Sequence, residues 1–349
     1  MKTPRRLIRP PALNPGATIG IFTPSFPAHV KFREKYLHGI EVLKRMGFHV
    51  LEGSLTASHK SEGYRSGSPR ERADEFMGLI RNPKVSCMIS TIGGSNSSSM
   101  IPYLDFDEIR ANPKIICGYS DVTSLHLSIL AYSGLSTFYG PAVMPSFGEW
   151  PDLLPETRDS FLAAVQETGP APRKFTPPAR WSTHLRSALT DAWKTEPRRF
   201  EPNPGWRSLH PGEASAPILV ANLNTLMSSA GTSYFPDLNG KILLLEEMSA
   251  PLSLEERSLR HLERLGVFES ISGLIVSKPE MYQQEDAPFG YDELILEIVG
   301  THRKYPIITQ FDCGHVNPTL TLAEMTQVSI SAHHDHDATF TVLEPMVTS

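Results

Sequence analysis

The sequence has few cysteines, no long apolar run and no strong excess of either charge. Its 349 residues include only three cysteines, spaced far apart, which argues against a disulfide framework or a cysteine-based zinc site. No apolar run is long enough to span a bilayer, and the basic N-terminus lacks the apolar core of a signal peptide. The net charge of −5 indicates neither a nucleic-acid-binding nor a membrane-binding surface. We therefore expect a cytoplasmic protein without nucleic-acid or membrane partners.

What the chain does contain is a regular alternation of short apolar runs and amphipathic stretches. Runs typical of buried strands begin near Ala17, Val85 and Ile115, and stretches with helical periodicity separate them. Capping boxes at Ser68-Pro-Arg-Glu71 and Ser253-Leu-Glu-Glu256 predict two helix starts. This alternation predicts an α/β fold with a mostly parallel sheet covered on both faces. In such sheets, ligands bind beyond the carboxyl ends of the strands.

The length of the chain predicts two domains, because single cores rarely grow to this size. Residues 146–215 are dense in proline, hold all four tryptophans and show little periodicity. We predict an N-terminal α/β domain at 1–145, a linker and substrate lid at 146–215, and a C-terminal domain at 216–349. Long loops are often functional, and a poorly ordered connection is the alternative for the middle segment. Two apolar runs at 328–331 and 338–343 predict a closing hairpin.

Three chemically competent side chains follow predicted strands. Ser120 lies on a sharp strand-to-helix turn, which would present its hydroxyl beside backbone N–H groups at a helix N-terminus. A serine nucleophile needs a base, which His315 could supply, and a carboxylate from Glu246 or Glu247 to fix the histidine tautomer. Adjacent strand residues face opposite ways, so only one of the two glutamates can serve. Taken singly, each residue also has an ordinary structural role, such as helix capping for Ser120.

Longer stretches around these residues carry recognisable motifs. In chain order they are Ile92-Gly-Gly-Ser-Asn-Ser-Ser-Ser-Met-Ile-Pro-Tyr-Leu-Asp105, Asn112-Pro-Lys-Ile-Ile-Cys-Gly-Tyr-Ser120-Asp-Val-Thr, Thr137-Phe-Tyr-Gly-Pro141, the run from Gly231 to Glu247, and Gly314-His315-Val-Asn-Pro-Thr-Leu-Thr-Leu. Together, over most of the chain, they resemble the LD-carboxypeptidase family of serine peptidases. Ser58-His-Lys-Ser-Glu-Gly-Tyr64 and Phe147-Gly-Glu149 resemble the branch of that family that includes the microcin C self-immunity protein.

The resemblance implies a fold and a set of catalytic roles. The fold is an N-terminal parallel-sheet α/β domain packed on a C-terminal β-rich α/β domain, with the active site at the interface. Ser120 would be the nucleophile, Glu246 the carboxylate of the triad and His315 the base. The backbone N–H groups of Gly94 and Asp121 would form the oxyanion hole. The resemblance also suggests a homodimer.

Several further residues are candidates for substrate binding. The Gly93-Gly94-Ser95-Asn96 loop would bind substrate, with its two glycines facing the free carboxylate of the substrate. Lys278 and Glu280 follow another predicted strand and could contact substrate, with an exposed ion pair as the alternative. No metal and no nucleotide cofactor is indicated, because the glycine pair lacks the spacing of a dinucleotide-binding loop.

Two hydrolytic functions and one binding function fit these residues. The first is cleavage of the amide or acyl linkage between an aminoacyl group and a modified nucleotide, giving immunity to a toxic aminoacyl-adenylate mimic of the microcin C type. The alternative is a murein tetrapeptide LD-carboxypeptidase of cell-wall recycling. Both would act on a small-molecule substrate. A two-domain ligand-binding protein without catalysis is the third.

The tryptophans of the predicted lid favour the nucleotide substrate. Trp181 or Trp193 could stack on a nucleobase, with simple packing of the lid as the alternative. The microcin-immunity branch carries a lid tryptophan in a Trp-Thr-Asp setting, whereas Leu189-Thr-Asp191 stands at that place here. This departure leaves the nucleotide contact open and fits a different antibiotic or nucleotide analogue.

Overall fold

A computed structural model describes residues 5–169, 172–184, 186–248, 251–279, 281–333 and 338–349. The strands are β1 (Thr18–Phe22), β2 (His49–Glu52), β3 (Val85–Ser90), β4 (Ile115–Gly118), β5 (Phe138–Tyr139), β6 (Arg173–Phe175), β7 (Arg180–Trp181), β8 (Glu201–Pro202), β9 (Arg207–His210), β10 (Gly212–Asn222), β11 (Ile242–Glu246), β12 (Gly273–Ser277), β13 (Ile307–Phe311), β14 (Leu322–Ala323), β15 (Gln327–Ala332) and β16 (Ala338–Val342). The α-helices are α1 (Ala28–Lys31), α2 (Arg33–Arg45), α3 (Ser54–Ala57), α4 (Pro69–Arg81), α5 (Phe106–Ala111), α6 (Thr123–Ser133), α7 (Pro155–Gln166), α8 (Ala192–Thr195), α9 (Leu223–Ser228), α10 (Leu252–Arg264), α11 (Val267–Ser270) and α12 (Tyr291–Val299).

The first sheet has six strands in the order β14-β5-β4-β3-β1-β2. Strands β1 to β5 run parallel to their neighbours, and β14 joins antiparallel at the edge. Both faces are covered, since Cys87 and Ile89 pack into one hydrophobic core and Met88 into another. The continuous apolar runs of these strands follow from this two-sided burial. The predicted α/β fold with a parallel sheet is confirmed.

The second sheet has eight strands in the order β6-β16-β15-β10-β11-β12-β13-β9. Its centre, β10 to β13, is parallel, and antiparallel strands extend it on both sides. The predicted closing hairpin is present as β15 and β16. Ile21 and Cys117 of the first sheet share one continuous core with Leu244 and Ile308 of the second. The two sheets are therefore packed together, and the β-rich second half is confirmed.

Residues 146–215 contain more regular structure than their sequence predicts. They form α7, α8 and strands β6 to β9, of which β6 and β9 close the two edges of the second sheet. Strands of two to four residues are too short to show periodicity, but Pro155 at the start of α7 was a usable helix signal. The division into 1–145, 146–215 and 216–349 stays a prediction.

One of the two predicted capping boxes is present. The Ser68 hydroxyl accepts a hydrogen bond from the backbone N–H of Glu71, the Glu71 carboxylate accepts one from the backbone N–H of Ser68, and α4 follows. The box predicted at Ser253 is wrong, because α10 already begins at Leu252 with Pro251 as its N-cap. The Ser253 N–H instead donates to the carboxylate of Glu285, 2.8 Å away, from a later loop.

Across the ranges that the structure describes, none of the helices combines the length and the apolar character that crossing a bilayer requires.

Candidate active site

Ser120 lies just beyond the carboxyl end of β4, at the start of a 3₁₀ turn that leads into α6. Its φ of +65° is left-handed, a conformation that serine rarely adopts and that concentrates at functional sites. The residue is half-buried. Its backbone N–H donates to the hydroxyl of Tyr139, 3.0 Å away. This is the sharp turn that the sequence predicted.

Glu246 and His315 are in contact at the carboxyl end of β11 in the second sheet, although 69 residues separate them in the chain. Glu246 ends β11, and its Oε2 lies 2.6 Å from His315 Nδ1 and 3.0 Å from the backbone N of His315. Both side chains are largely buried, at 1% and 10% exposure. A side chain at Gly314 would collide with Glu246, since its Cβ would lie 2.3 Å from Oε2. With Nδ1 held in this way, Nε2 is the ring nitrogen through which His315 would exchange a proton with a reacting group.

Glu246 remains a carboxylate despite its burial. Burial by itself raises the pKa of Glu246, but the neighbouring His315 and hydrogen bonds from His315 and Tyr139 hold this pKa below its ordinary value. The Tyr139 hydroxyl donates to Glu246 Oε1 at 2.5 Å. An ionised glutamate in contact with Nδ1 fixes the tautomer of His315 and stabilises its protonated form.

Glu247 takes a different direction from its neighbour. Its carboxylate accepts hydrogen bonds from Asn222 Nδ2 at 3.0 Å and from the backbone N–H of Asn224 at 2.8 Å. Burial, followed by the charge of Glu246, raises the pKa of Glu247. Asn222 also donates to Glu246 Oε1 at 3.1 Å and thereby joins the two carboxylates. The structure therefore places Glu246, not Glu247, at His315.

The two glycines after β3 lie directly against the serine turn. A Cβ at Gly93 would be 3.0 Å from Ser120 Cβ and 3.1 Å from the backbone N of Asp121. Gly94 has a φ of +146°, and a Cβ there would lie 2.3 Å from Ser25 Oγ. Any larger side chain would push this loop away from Ser120, so the backbone requires glycine here.

Side chains at the base of the loop hold it in place. Asp121 Oδ2 accepts hydrogen bonds from the backbone N–H groups of Asn96 and Ser97, both at 2.9 Å. Ser25 Oγ accepts from the N–H groups of Ser95 at 3.0 Å and Asn96 at 3.1 Å. The Asp121 carboxylate thus fixes the loop, a positioning role that the sequence did not reveal.

Trp181 lies beside the histidine loop. Its neighbour Ser182 exchanges two backbone hydrogen bonds with Asn317, at 2.8 and 3.2 Å, two residues beyond His315. The Lys278 ammonium lies 5.6 Å from the centre of the Trp181 ring. This geometry suits a cation–π contact.

Lys278 is buried, whereas the alternative considered from the sequence placed it in an exposed ion pair. It is 1% exposed, and its ammonium pairs with Asp312 at 2.7 Å. Burial lowers its pKa and Asp312 opposes that effect. Glu280, the other member of that candidate pair, lies outside the described residues.

Trp193 has a different environment. It is 3% exposed, and its ring packs against Trp150 and His38, with centroids 6.0 and 5.8 Å apart. These contacts correspond to the packing role considered for the lid. Leu189, in the same segment, is 83% exposed.

Two residues that contact Glu246, namely Tyr139 and Asn222, received no role from the sequence. Tyr139 stood within a quoted motif, and Asn222 ends β10 as Glu246 ends β11. Their positions at the carboxyl ends of parallel strands were the available signal. Within the described ranges, no group of three or more His, Cys, Asp or Glu side chains is arranged to hold a metal ion.

A serine on a left-handed strand-to-helix turn and a buried Glu–His pair are both features typical of serine hydrolases. Here the Tyr139 hydroxyl is hydrogen-bonded to the Ser120 N–H and to Glu246. Comparison with known protein families identifies the family within this class of hydrolases. Residues 19–140 match the LD-carboxypeptidase N-terminal domain and residues 215–330 the LD-carboxypeptidase C-terminal domain. The chain belongs to the LD-carboxypeptidase family of serine peptidases.

Individual relatives resemble the chain over nearly its whole length. It is 40% identical over 313 residues to a Vibrio cholerae protein whose name proposes a carboxypeptidase, covering 88% of this chain and 90% of that one. It is 38% identical over 308 residues to the microcin C7 self-immunity protein MccF of Escherichia coli, covering 88% of each. The structure of MccF in complex with aspartyl sulfamoyl adenosine superposes with a TM-score of 0.91 at 34% identity, covering 97% of this chain and 99% of that one.

Proposed function

We propose that this protein hydrolyses the bond between an aminoacyl group and a modified nucleotide, and so protects against an aminoacyl-adenylate mimic of the microcin C type. The observation that carries the proposal is the match over 97% of the chain to MccF, whose structure holds aspartyl sulfamoyl adenosine. The paired Glu246 and His315 supply the chemistry that such a hydrolysis needs.

The proposed reaction proceeds in two steps. Ser120 Oγ attacks the carbonyl carbon of the aminoacyl group while its proton passes to His315 Nε2. The bond to the nucleotide-bearing nitrogen then breaks, and that nitrogen takes the proton from His315. Water next attacks the acyl-serine ester, gives a proton to His315, and releases the free carboxylate as Ser120 recovers its proton. Glu246 remains ionised and stabilises the imidazolium in both steps.

The backbone N–H groups of Gly94 and Asp121 are the proposed oxyanion hole. Gly93 packs within contact distance of Ser120, and the loop that carries Gly94 is fixed by Asp121 and Ser25. Fixed backbone donors stabilise a developing oxyanion without reorganising during the reaction. The Gly93-Gly94 turn would face the free carboxylate of the substrate.

Trp181 is the proposed contact for the nucleobase. The next residue, Ser182, is hydrogen-bonded to the histidine loop at Asn317, and the Lys278 ammonium lies 5.6 Å from the centre of the Trp181 ring. Because Lys278 is already paired with Asp312, its proposed role is to hold the Trp181 ring rather than to reach the substrate itself. Stacking on an aromatic ring tolerates different bases.

The test is a mass-spectrometric cleavage assay with aspartyl sulfamoyl adenosine and a murein tetrapeptide as separate substrates. Wild type should release aspartate from the nucleotide conjugate, and Ser120→Ala should not. Ser128→Ala replaces a buried serine on α6 whose hydroxyl donates to Leu125 O; it is the matched control and should remain active. Absence of cleavage by a folded wild type would refute the proposal.

Murein processing is the second candidate function. It is favoured by 27% identity over 314 residues to a Bacillus subtilis relative named "Probable murein peptide carboxypeptidase", and by Leu189 at the place of the lid tryptophan. The same triad would cut the bond before a terminal D-alanine. Release of D-alanine without cleavage of the nucleotide conjugate would establish this function instead. Retained biological activity in Ser120→Ala would favour a ligand-binding protein.

A further inference from the structure

The hydroxyl of Tyr139 connects the serine turn to the triad carboxylate. Tyr139 ends β5 in the first sheet and is completely buried. Its oxygen accepts the hydrogen bond from Ser120 N–H at 3.0 Å and donates its own proton to Glu246 Oε1 at 2.5 Å. Glu246 belongs to the second sheet, so this one hydroxyl joins catalytic parts carried by different sheets.

We propose that Tyr139 is a positioning residue that holds Ser120 and Glu246 in their reactive arrangement. The inference rests on the proposed function of Ser120, Glu246 and His315. Tyr139 first supports the backbone conformation of Ser120. Ser120 is held at a φ of +65°, which is unfavourable for a side chain with a Cβ. The hydrogen bond to Tyr139 gives its N–H a partner in that conformation and so favours the turn that presents Oγ.

The hydrogen bond to Tyr139 also affects which N–H groups can bind the oxyanion. A single N–H group cannot donate fully to Tyr139 and to a developing oxyanion at the same time. The Ser120 N–H is therefore assigned to Tyr139, and the oxyanion is left to other donors. Asp121 N, which faces Gly93, and Gly94 N remain for that role.

Tyr139 also helps to set the orientation of the Glu246 carboxylate. Tyr139 and Asn222 both donate to Oε1 of Glu246, so that Oε2 is left for His315. Burial, together with the nearby Glu246 charge, raises the pKa of Tyr139 well above its usual range. The phenol therefore keeps its proton and remains a donor throughout the working pH range.

The test compares Tyr139→Phe with Tyr36→Phe. Tyr36, on α2, is an equally buried tyrosine that also donates to a carboxylate. Its partner is Glu52, 2.7 Å away at the end of β2 in the first sheet. Three readouts are needed: kcat and KM on the cleaved substrate, the pH profile of kcat/KM, and the rate at which a fluorophosphonate probe labels Ser120.

Loss of a hydrogen bond to a charged group predicts that kcat and the labelling rate of Tyr139→Phe fall about ten- to a hundredfold, with KM nearly unchanged. The negative charge of Glu246, no longer shared with the phenol, should stabilise imidazolium more strongly and move the acid limb of the profile to higher pH. Tyr36→Phe should change none of these. Replacement of Tyr139 by 3,5-difluorotyrosine, a stronger hydrogen-bond donor of similar shape, should move the acid limb of the kcat/KM profile to lower pH. This variant tests the inference if Tyr139→Phe does not fold.

Unchanged kcat and labelling in folded Tyr139→Phe would overturn the inference while the triad stands. Equal losses in both phenylalanine variants would also overturn it, because they would show general destabilisation. If wild type neither cleaves substrate nor labels at Ser120, the proposed function fails and the inference fails with it.

Discussion

At the scale of single residues, the choice between two adjacent glutamates depends on where their carboxylates point. Glu246 lies at the last position of β11 and reaches His315, while Glu247 turns towards Asn222 and the start of α9. Side chains alternate along a strand, so one register position decides which carboxylate reaches His315.

Glu246→Gln should lower kcat by about a thousandfold or more, because an amide can no longer hold the required histidine tautomer or stabilise imidazolium. Steady-state kinetics on the cleaved substrate measures this. Glu247→Gln is the matched control, one residue along, and should retain activity within about tenfold. Equal losses in the two variants would contradict the assignment of Glu246.

The pH dependence of kcat/KM should show an acid limb that belongs to His315. Only neutral imidazole can accept the serine proton, so activity should fall as the pH drops through the pKa of this histidine. Glu246, whose pKa is held below its ordinary value by His315 and Tyr139 against the effect of burial, stays ionised over the mildly acidic range. Measurement of kcat/KM between about pH 5 and 8 tests this, and a flat profile would argue against His315 as the base.

At the scale of elements, the segment that carries Trp181 is attached to both halves of the protein. Ser182 pairs with Asn317, two residues beyond His315. Further along the segment, Arg186 and Arg198 both form ion pairs with the buried Glu149 that follows the first sheet. This segment, which is predicted to be a substrate lid, is therefore attached to both halves, and its contacts with the N-terminal half include the ion pairs with Glu149.

Glu149→Gln should loosen the lid, because two largely buried guanidinium groups lose their carboxylate. Breaking such a pair typically costs about 3–5 kcal/mol. We expect a higher KM and faster limited proteolysis between residues 184 and 199, read by mass spectrometry. Glu167→Gln removes the exposed partner of Arg173 and serves as the control. Unchanged proteolysis and KM would show that the lid does not depend on Glu149.

At the scale of the whole molecule, Glu324 connects the two sheets. Its backbone N–H donates to Thr137 O, and its backbone carbonyl accepts from Ser136 Oγ, both next to the first sheet. Its carboxyl group accepts from Val220 N–H of β10 in the second sheet, at 3.0 Å. Burial raises the pKa of Glu324 to about 8. The group is thus protonated in the folded protein at neutral pH.

This raised pKa makes stability depend on pH in a defined direction. At pH values between the pKa of Glu324 in the unfolded chain and about 8, the folded state holds a proton on Glu324 that the unfolded state has lost. The free energy of unfolding should therefore decline as the pH rises through that range. Glu324→Gln cannot ionise and should raise Tm at pH 7.5 by several degrees, with little gain at pH 4.5. Calorimetry at the two pH values measures the difference. An equal effect of Glu324→Gln at both would refute the protonated state.

Local sequence pattern determined much of the architecture. Apolar runs and helical periodicity marked the central strands and most long helices, and the reciprocal hydrogen bonds of Ser68 and Glu71 span only three residues. The candidates Ser120, Glu246 and His315 could be found because each follows a predicted strand, and ligands of α/β proteins bind beyond the carboxyl ends of parallel strands. These features depend on neighbours in the chain or on a general property of α/β folds.

Tertiary structure alone decided the finer geometry. Tyr139 and Glu246 are 107 residues apart, and their hydrogen bond exists only because two sheets pack together. The same packing selected Glu246 over Glu247 and buried Trp193 while leaving Trp181 beside the histidine loop. Residue types and spacing carry no record of which distant surfaces meet, because that is settled by the burial of apolar area across the whole molecule. The sequence by itself therefore determined the elements and the chemical groups, and the packing of the two sheets determined which of these groups meet.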